Sequence, residues 1–127
     1  MRWLLALVVL GGATGGPIRA TRTASSRLVI HNYYFAKPGL ADSVFRTRVE
    51  ASAIRQRLGL VVGRVLRRQS VSDSLPDVIW EAEYSDSAAR ARDVAALDGS
   101  AEFDAIQRRM EKFIRRFDRA AWTVAAR

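Results

Sequence analysis

Residues 27–35 read Arg-Leu-Val-Ile-His-Asn-Tyr-Tyr-Phe. This run is β-branched and aromatic, and it lies between Ser25-Ser26 and Lys37-Pro38-Gly39, which marks a strand. A period of two puts Leu28, Ile30, Asn32 and Tyr34 on one face and Val29, His31, Tyr33 and Phe35 on the other. Both faces carry large apolar side chains, so the strand is expected to be covered on both sides. Residues 40–58 predict a helix, with Ala41, Phe45, Val49 and Ala53 recurring every four positions between arginines. Gly59 stands where a left-handed residue ends such a helix.

Residues 60–69 predict a second strand with polar residues along part of one side, and 70–76 a polar turn. Residues 77–84 predict a third strand, with Val78, Trp80, Ala82 and Tyr84 against Ile79, Glu81 and Glu83. Ser85 or Asp86 is placed to cap a helical region from Ser87 onward. Gly99-Ser100 interrupts that region. Phe103, Ile106, Met110, Phe113/Ile114 and Phe117 then form an amphipathic stripe. Residues 121–124 predict a short last strand.

The order β-α-β-β-α-β, with its last helix broken, predicts an α+β fold: a ferredoxin-like sandwich with a four-stranded antiparallel sheet. Helices would cover one sheet face. The other face, rich in large apolar residues, calls for a partner, and the symmetric solution is a homodimer with the sheets face to face.

The first residues do not fit the domain pattern. Met1-Arg2 precedes the apolar run from Trp3 to Leu10, which exits through Gly11, Gly12, Ala13, Thr14 and Gly15. A positive start, a short apolar run and a small-residue exit are the parts of a secretory signal, with Ala13 and Gly15 suiting a cut after residue 15. The run is too short for a stable membrane span, which needs about 20 residues. The expected organisation is thus a signal peptide over 1–15, a flexible leader over 16–26 and one domain over 27–127. The protein would be exported, to the periplasm or beyond.

The net charge of +8 and the pI of about 11.1 raise the question of a nucleic-acid partner. The pattern argues against it. Only Lys37 and Lys112 are lysine, and the arginines are spread along every segment among Asp and Glu. Arg67-Arg68, Arg108-Arg109 and Arg115-Arg116 lack the aromatic and glycine neighbours of an RNA-binding strand. With no cysteine in the chain, a disulfide framework and a thiolate zinc site are both excluded. No phosphate loop or dinucleotide glycine fingerprint occurs.

Three segments carry a resemblance to a known group. Tyr33-Tyr34-Phe35-Ala36-Lys37-Pro38-Gly39 resembles the start of NIPSNAP-type domains, where a strand runs into Lys-Pro-Gly before the first helix. The run from Leu75 to Tyr84 is similar to their third strand. Ala96-Leu97-Asp98-Gly99-Ser100-Ala101-Glu102-Phe103 resembles their broken helix. The resemblance spans roughly residues 28–124 and implies a member of the dimeric α/β barrel superfamily, which also holds antibiotic-biosynthesis-type monooxygenases and haem-degrading oxygenases. It implies a homodimer with a pocket between sheet and helices in each subunit, and it implies no particular reaction.

Candidate chemistry is sparse. His31 is the sole histidine. It is open to the roles of base, ligand-binding group or metal ligand, but without ligand-spaced partners it reads first as a satisfied structural residue. Haem-degrading relatives use a helix histidine near the broken helix, and residues 94–103 hold none. No cofactor or metal is expected. The resemblance implies more for Asn32, Tyr34 and Trp80, because related cofactor-independent oxygenases use an asparagine on the first strand and a tryptophan on the third. An amide can hydrogen-bond a substrate oxygen, and an indole can stack on an aromatic substrate. A buried tryptophan and a backbone-satisfied asparagine are the plainer reading. Glu81 and Glu83 could act as bases, or pair with Arg64, Arg67 or Arg68 across strands. Three functions follow: a binder of a small apolar or aromatic ligand, a cofactor-independent monooxygenase, or a structural oligomer without ligand.

Overall fold

The computed structural model describes Gly15, Gly16 and residues 27–126. The proposed signal peptide and leader otherwise lie outside the described residues. The elements run β1 (Leu28–Ala36), α1 (Ala41–Arg57), β2 (Arg64–Arg67), β3 (Val78–Tyr84), α2 (Ser87–Ala95), α3 (Ala101–Phe113) and β4 (Ile114–Thr123). The four strands form one antiparallel sheet in the order β2-β3-β1-β4. This is the α+β, ferredoxin-like arrangement expected from the sequence, with the second helical region broken at Gly99-Ser100.

The breaks have local causes. The Asp86 carboxylate accepts from the Ala89 N–H at 2.7 Å and starts α2. The Ser100 hydroxyl accepts from the Phe103 N–H at 3.2 Å and starts α3. Each satisfies a donor that the first helical turn leaves open. Gly63, with φ of 71°, precedes β2. A Cβ there would lie 2.5 Å from the Glu81 carbonyl oxygen and 2.6 Å from the Trp80 indole nitrogen. Only glycine meets both the left-handed backbone and that close approach.

The core lies between one sheet face and the helices. Ile30, Tyr34, Val78, Trp80 and Ala82 pack from the sheet against Val44 of α1 and Met110 of α3. Ala51, Ile54, Leu97 and Phe103 form a second cluster between the helices.

Three expectations change. The apolar line predicted for α1 is not its buried one: Val49 is 45% exposed and Ala53 is also exposed. The buried side instead holds Val44, Thr47, Arg48, Ala51, Ser52, Ile54 and Arg55. Charged residues on the inner face hid it. The last strand begins at Ile114, so Phe117 belongs to the sheet and not to the helical stripe. β1 offers a nine-residue edge, and pairing along it outweighs the helix period of residues 114–120. β2 is limited to Arg64–Arg67, because the turn at Gly63 comes before the ladder.

Candidate functional site

Strand register decides which side chains meet. Asn32 stands opposite Trp80 across β1 and β3, and opposite Arg119 across β1 and β4. Residues opposite one another share a face, so Asn32, Trp80 and Arg119 all point toward the helices. There they line a cavity of about 360 Å³ between the sheet and α1, α2 and α3. Tyr34 lines it too. Three of the four candidate residues are therefore brought together.

His31 is the exception. One residue from Asn32, it falls on the opposite sheet face by strand alternation, and it is not among the lining residues of the cavity. Its Nε2 lies 2.8 Å from Glu81 Oε2, and its Nδ1 lies 3.1 Å from the Tyr33 hydroxyl. Both ring nitrogens are thus partnered, away from the cavity that the other three candidate residues line. Glu81 also accepts from Arg64, at 3.1 Å from Nε. The Arg64 guanidinium, and after it His31, hold the Glu81 carboxyl below its ordinary range. Glu83 pairs with Arg27 at 2.9 Å. Both carboxylates thus sit in ion pairs on the face away from the cavity.

Apolar side chains make up about half of the cavity wall. Phe117 contributes from β4, Leu97 from the helix break, and Phe103, Ile106 and Met110 from α3. The Phe117 ring stands edge-on to Tyr34, with centroids 5.3 Å apart. Into this wall are set polar groups with defined partners. Arg119 Nε donates to Asn32 Oδ1 at 2.8 Å. A guanidinium can only donate, so this bond fixes the amide orientation. The Asn32 nitrogen then has no hydrogen-bond partner among the described residues and is left as a donor. Trp80 Nε1 donates to the Val62 carbonyl at 2.8 Å, which pins the indole plane.

Two arginines of α1 reach this ring from the helix side. The Arg55 guanidinium carbon lies 4.6 Å from the Trp80 ring centroid, and that of Arg48 lies 4.9 Å from it. Both residues are 5% exposed. Their partners differ sharply. Arg55 donates to Asp93 Oδ2 at 2.6 Å and to the Val61 carbonyl at 3.2 Å. Asp93 also accepts from the Tyr84 hydroxyl at 2.8 Å and from the Val61 N–H at 3.0 Å. Burial pushes the Asp93 carboxyl up, but the bonds from Arg55, Val61 and Tyr84 prevail and hold it below its ordinary value. Burial, reinforced by the bond to Asp93, pushes the Tyr84 phenol up to about 12.

Arg48 has no such neutralisation. Its one side-chain hydrogen bond among the described residues is a long 3.4 Å contact to the Ser52 hydroxyl, and its Nε, like that of Arg55, is buried without a partner. Burial lowers its pKa, and neighbouring Arg55 lowers it further against the opposing pull of Tyr34 and Tyr84. A guanidinium nevertheless stays protonated at neutral pH. Stacking on a desolvated indole is worth about 2 kcal/mol or somewhat more. Taking an ion out of water costs several kcal/mol. The ring alone does not offset the burial of this charge.

Arg48, Arg55 and Asp93 were not legible as site residues in the sequence. One signal was present: Val44, Arg48, Ala51 and Arg55 follow the 4-3-4 spacing of a buried helix line. Among the described residues, no group of three or more His, Cys, Asp or Glu side chains is placed to hold a metal, and no helix is long and apolar enough to cross a membrane.

No family model and no curated protein matches the chain. Solved structures do. An uncharacterized NIPSNAP domain protein from Burkholderia xenovorans superposes with a TM-score of 0.63 at 17% identity, covering 78% of this chain and 95% of that one. A putative antibiotic biosynthesis monooxygenase from Bacteroides thetaiotaomicron gives 0.59 at 14% identity, covering 80% and 91%. A dimeric protein of unknown function and ferredoxin-like fold from Bacteroides fragilis gives 0.57 at 10% identity, covering 77% and 96%. The chain shares the ferredoxin-like fold of these NIPSNAP-domain and monooxygenase-like structures.

Proposed function

We propose that the chain is a NIPSNAP-like homodimeric protein that binds a small apolar or aromatic ligand between its sheet and helices. One observation carries this reading: Asn32, Tyr34 and Trp80 line a single cavity of about 360 Å³ with apolar and polar walls, a size within the range of small-molecule sites. An indole held in plane and an amide held in orientation are the groups that fix an aromatic guest. A purely structural oligomer would have no use for such a space, and its own side chains would fill it. Native mass spectrometry of the purified protein tests the proposal. Binding predicts a small-molecule mass on each chain or its uptake from a panel of apolar ligands; a chain that stays empty throughout contradicts it.

Dimerisation belongs to the same reading. The sheet face away from the helices carries Leu66 at 39% and Trp122 at 51% exposure, with Ile79 and Tyr33 between them. A second copy would cover them. Export of the protein through its apolar N-terminal run is proposed on the sequence alone, and fractionation of expressing cells tests it.

A second reading is a cofactor-independent monooxygenase. It is favoured by the Asn32 amide nitrogen, which has no partner among the described residues, lies in the same cavity as Trp80 and could hold a substrate oxygen. Oxygen uptake with an anthrone as probe, converted to the quinone with release of water, would support it. An unchanged background rate would leave the chain a binder.

A further inference from the structure

We propose that the cavity takes a small organic acid, its carboxylate on the Arg48 guanidinium and its apolar or aromatic body against Trp80, Phe103 and Phe117. This deepens the binding reading above and rests on it. The starting observation is an asymmetry between two arginines on one helix line. Arg55 and Arg48 are equally buried and stack on the same ring. Asp93 neutralises Arg55. Nothing among the described residues neutralises Arg48; the Nε atoms of both arginines are buried and unpaired, so the missing carboxylate is what sets Arg48 apart.

The charge around the cavity points the same way. Its lining includes Arg48, Arg55, Arg90 and Arg119 against the single carboxylate of Glu111. Counting Asp93 against Arg55 still leaves an excess of positive charge. The free side of Asn32 adds a donor, because Arg119 occupies its acceptor oxygen. An excess of donors over acceptors, set beside apolar side chains, suits a guest with one anionic end and an apolar remainder. A planar carboxylate matches the fork of a guanidinium. Water in the empty cavity could hydrogen-bond Arg48, but it could not neutralise it.

Calorimetric titration of the full chain with 1-naphthoate and with 1-naphthamide, its uncharged counterpart of similar shape, tests the proposal. The acid should bind about tenfold or more tightly than the amide, as a charge-assisted bond requires. Arg48→Met should abolish that preference while leaving the ligand-free protein at least as stable to urea, since an unpaired buried charge is removed. Equal affinities for acid and amide would overturn the anion site and leave the cavity reading standing. Binding of neither would remove the cavity reading and this inference together. A clear loss of stability in Arg48→Met, with the acid preference intact, would make Arg48 a structural strut and also overturn the proposal. The acid–amide comparison on the unaltered chain stands even where a variant fails to fold.

Discussion

Asn32 and Trp80 face one another across the β1–β3 ladder, and both side chains line the same cavity. The pair is held from two directions, Asn32 by Arg119 and Trp80 by the Val62 carbonyl. Trp80→Phe keeps most of the apolar body but leaves that carbonyl without its donor. The expected cost is about 1–3 kcal/mol, read as a lower urea midpoint with an unchanged slope.

The Arg55–Asp93 pair is the charged strut of the core. Replacing Asp93 with Asn strands a buried guanidinium, at a cost of about 3–5 kcal/mol. The double replacement Arg55→Met, Asp93→Leu should recover only part of that, because the Val61 N–H and the Tyr84 hydroxyl still lose their acceptor. The cluster also sets two limbs of the pH profile. Asp93 is held below its ordinary value of 3.8, so it contributes stability above about pH 4 that is lost as pH falls through its folded pKa. Tyr84, raised from 10.0 to about 12, gives stability that is full below pH 10 and falls as pH rises toward about 12. Tyr84→Phe should flatten the alkaline limb and, by taking one hydrogen bond from Asp93, shrink the acid limb as well, measured by denaturation across pH.

Gly63 and Gly39 both have positive φ, but only Gly63 has atoms within contact of an added Cβ. Gly39→Ala should cost about 1–2 kcal/mol of backbone strain. Gly63→Ala should cost clearly more, since Trp80 and the β3 backbone must also shift. Thermal unfolding of the two variants gives the comparison.

The exposed sheet face gives a test of self-association. Leu66→Asp or Trp122→Glu should convert a dimer to a monomer by light scattering at micromolar concentration, with the fold retained. Val65→Asp should behave differently. Val65 stands opposite Trp80 and packs on the core, so a charge there should unfold the chain. A parent protein that is already monomeric would contradict the dimer.

Much of this was legible in the sequence where one side of an element is apolar and the other is not. The alternation of Val78, Trp80, Ala82 and Tyr84 placed the faces of β3 correctly, and Asp86 capped the helix it was expected to cap. That Asn32 meets Trp80 depends on register, which alternation along one strand does not determine. The inner side of α1 stayed hidden because Arg48 and Arg55 occupy it, and a search for apolar period passes over charged residues. β4 starts earlier, at Ile114, than its sequence suggests, because Phe113 and Phe117 are also spaced as on a helix. The open edge of β1, a tertiary feature, decided otherwise.

Trp80 and Trp122 lie on opposite faces of the sheet, and their indole N–H resonances report the two faces separately. The central claim is that a small ligand enters between sheet and helices. Titrating the isotope-labelled protein with 1-naphthoate and 1-naphthamide should therefore shift the Trp80 indole signal, whose N–H is bonded to Val62, in a saturable way. The Trp122 signal should stay in place. A shift confined to Trp122, or no shift in either, would contradict the account.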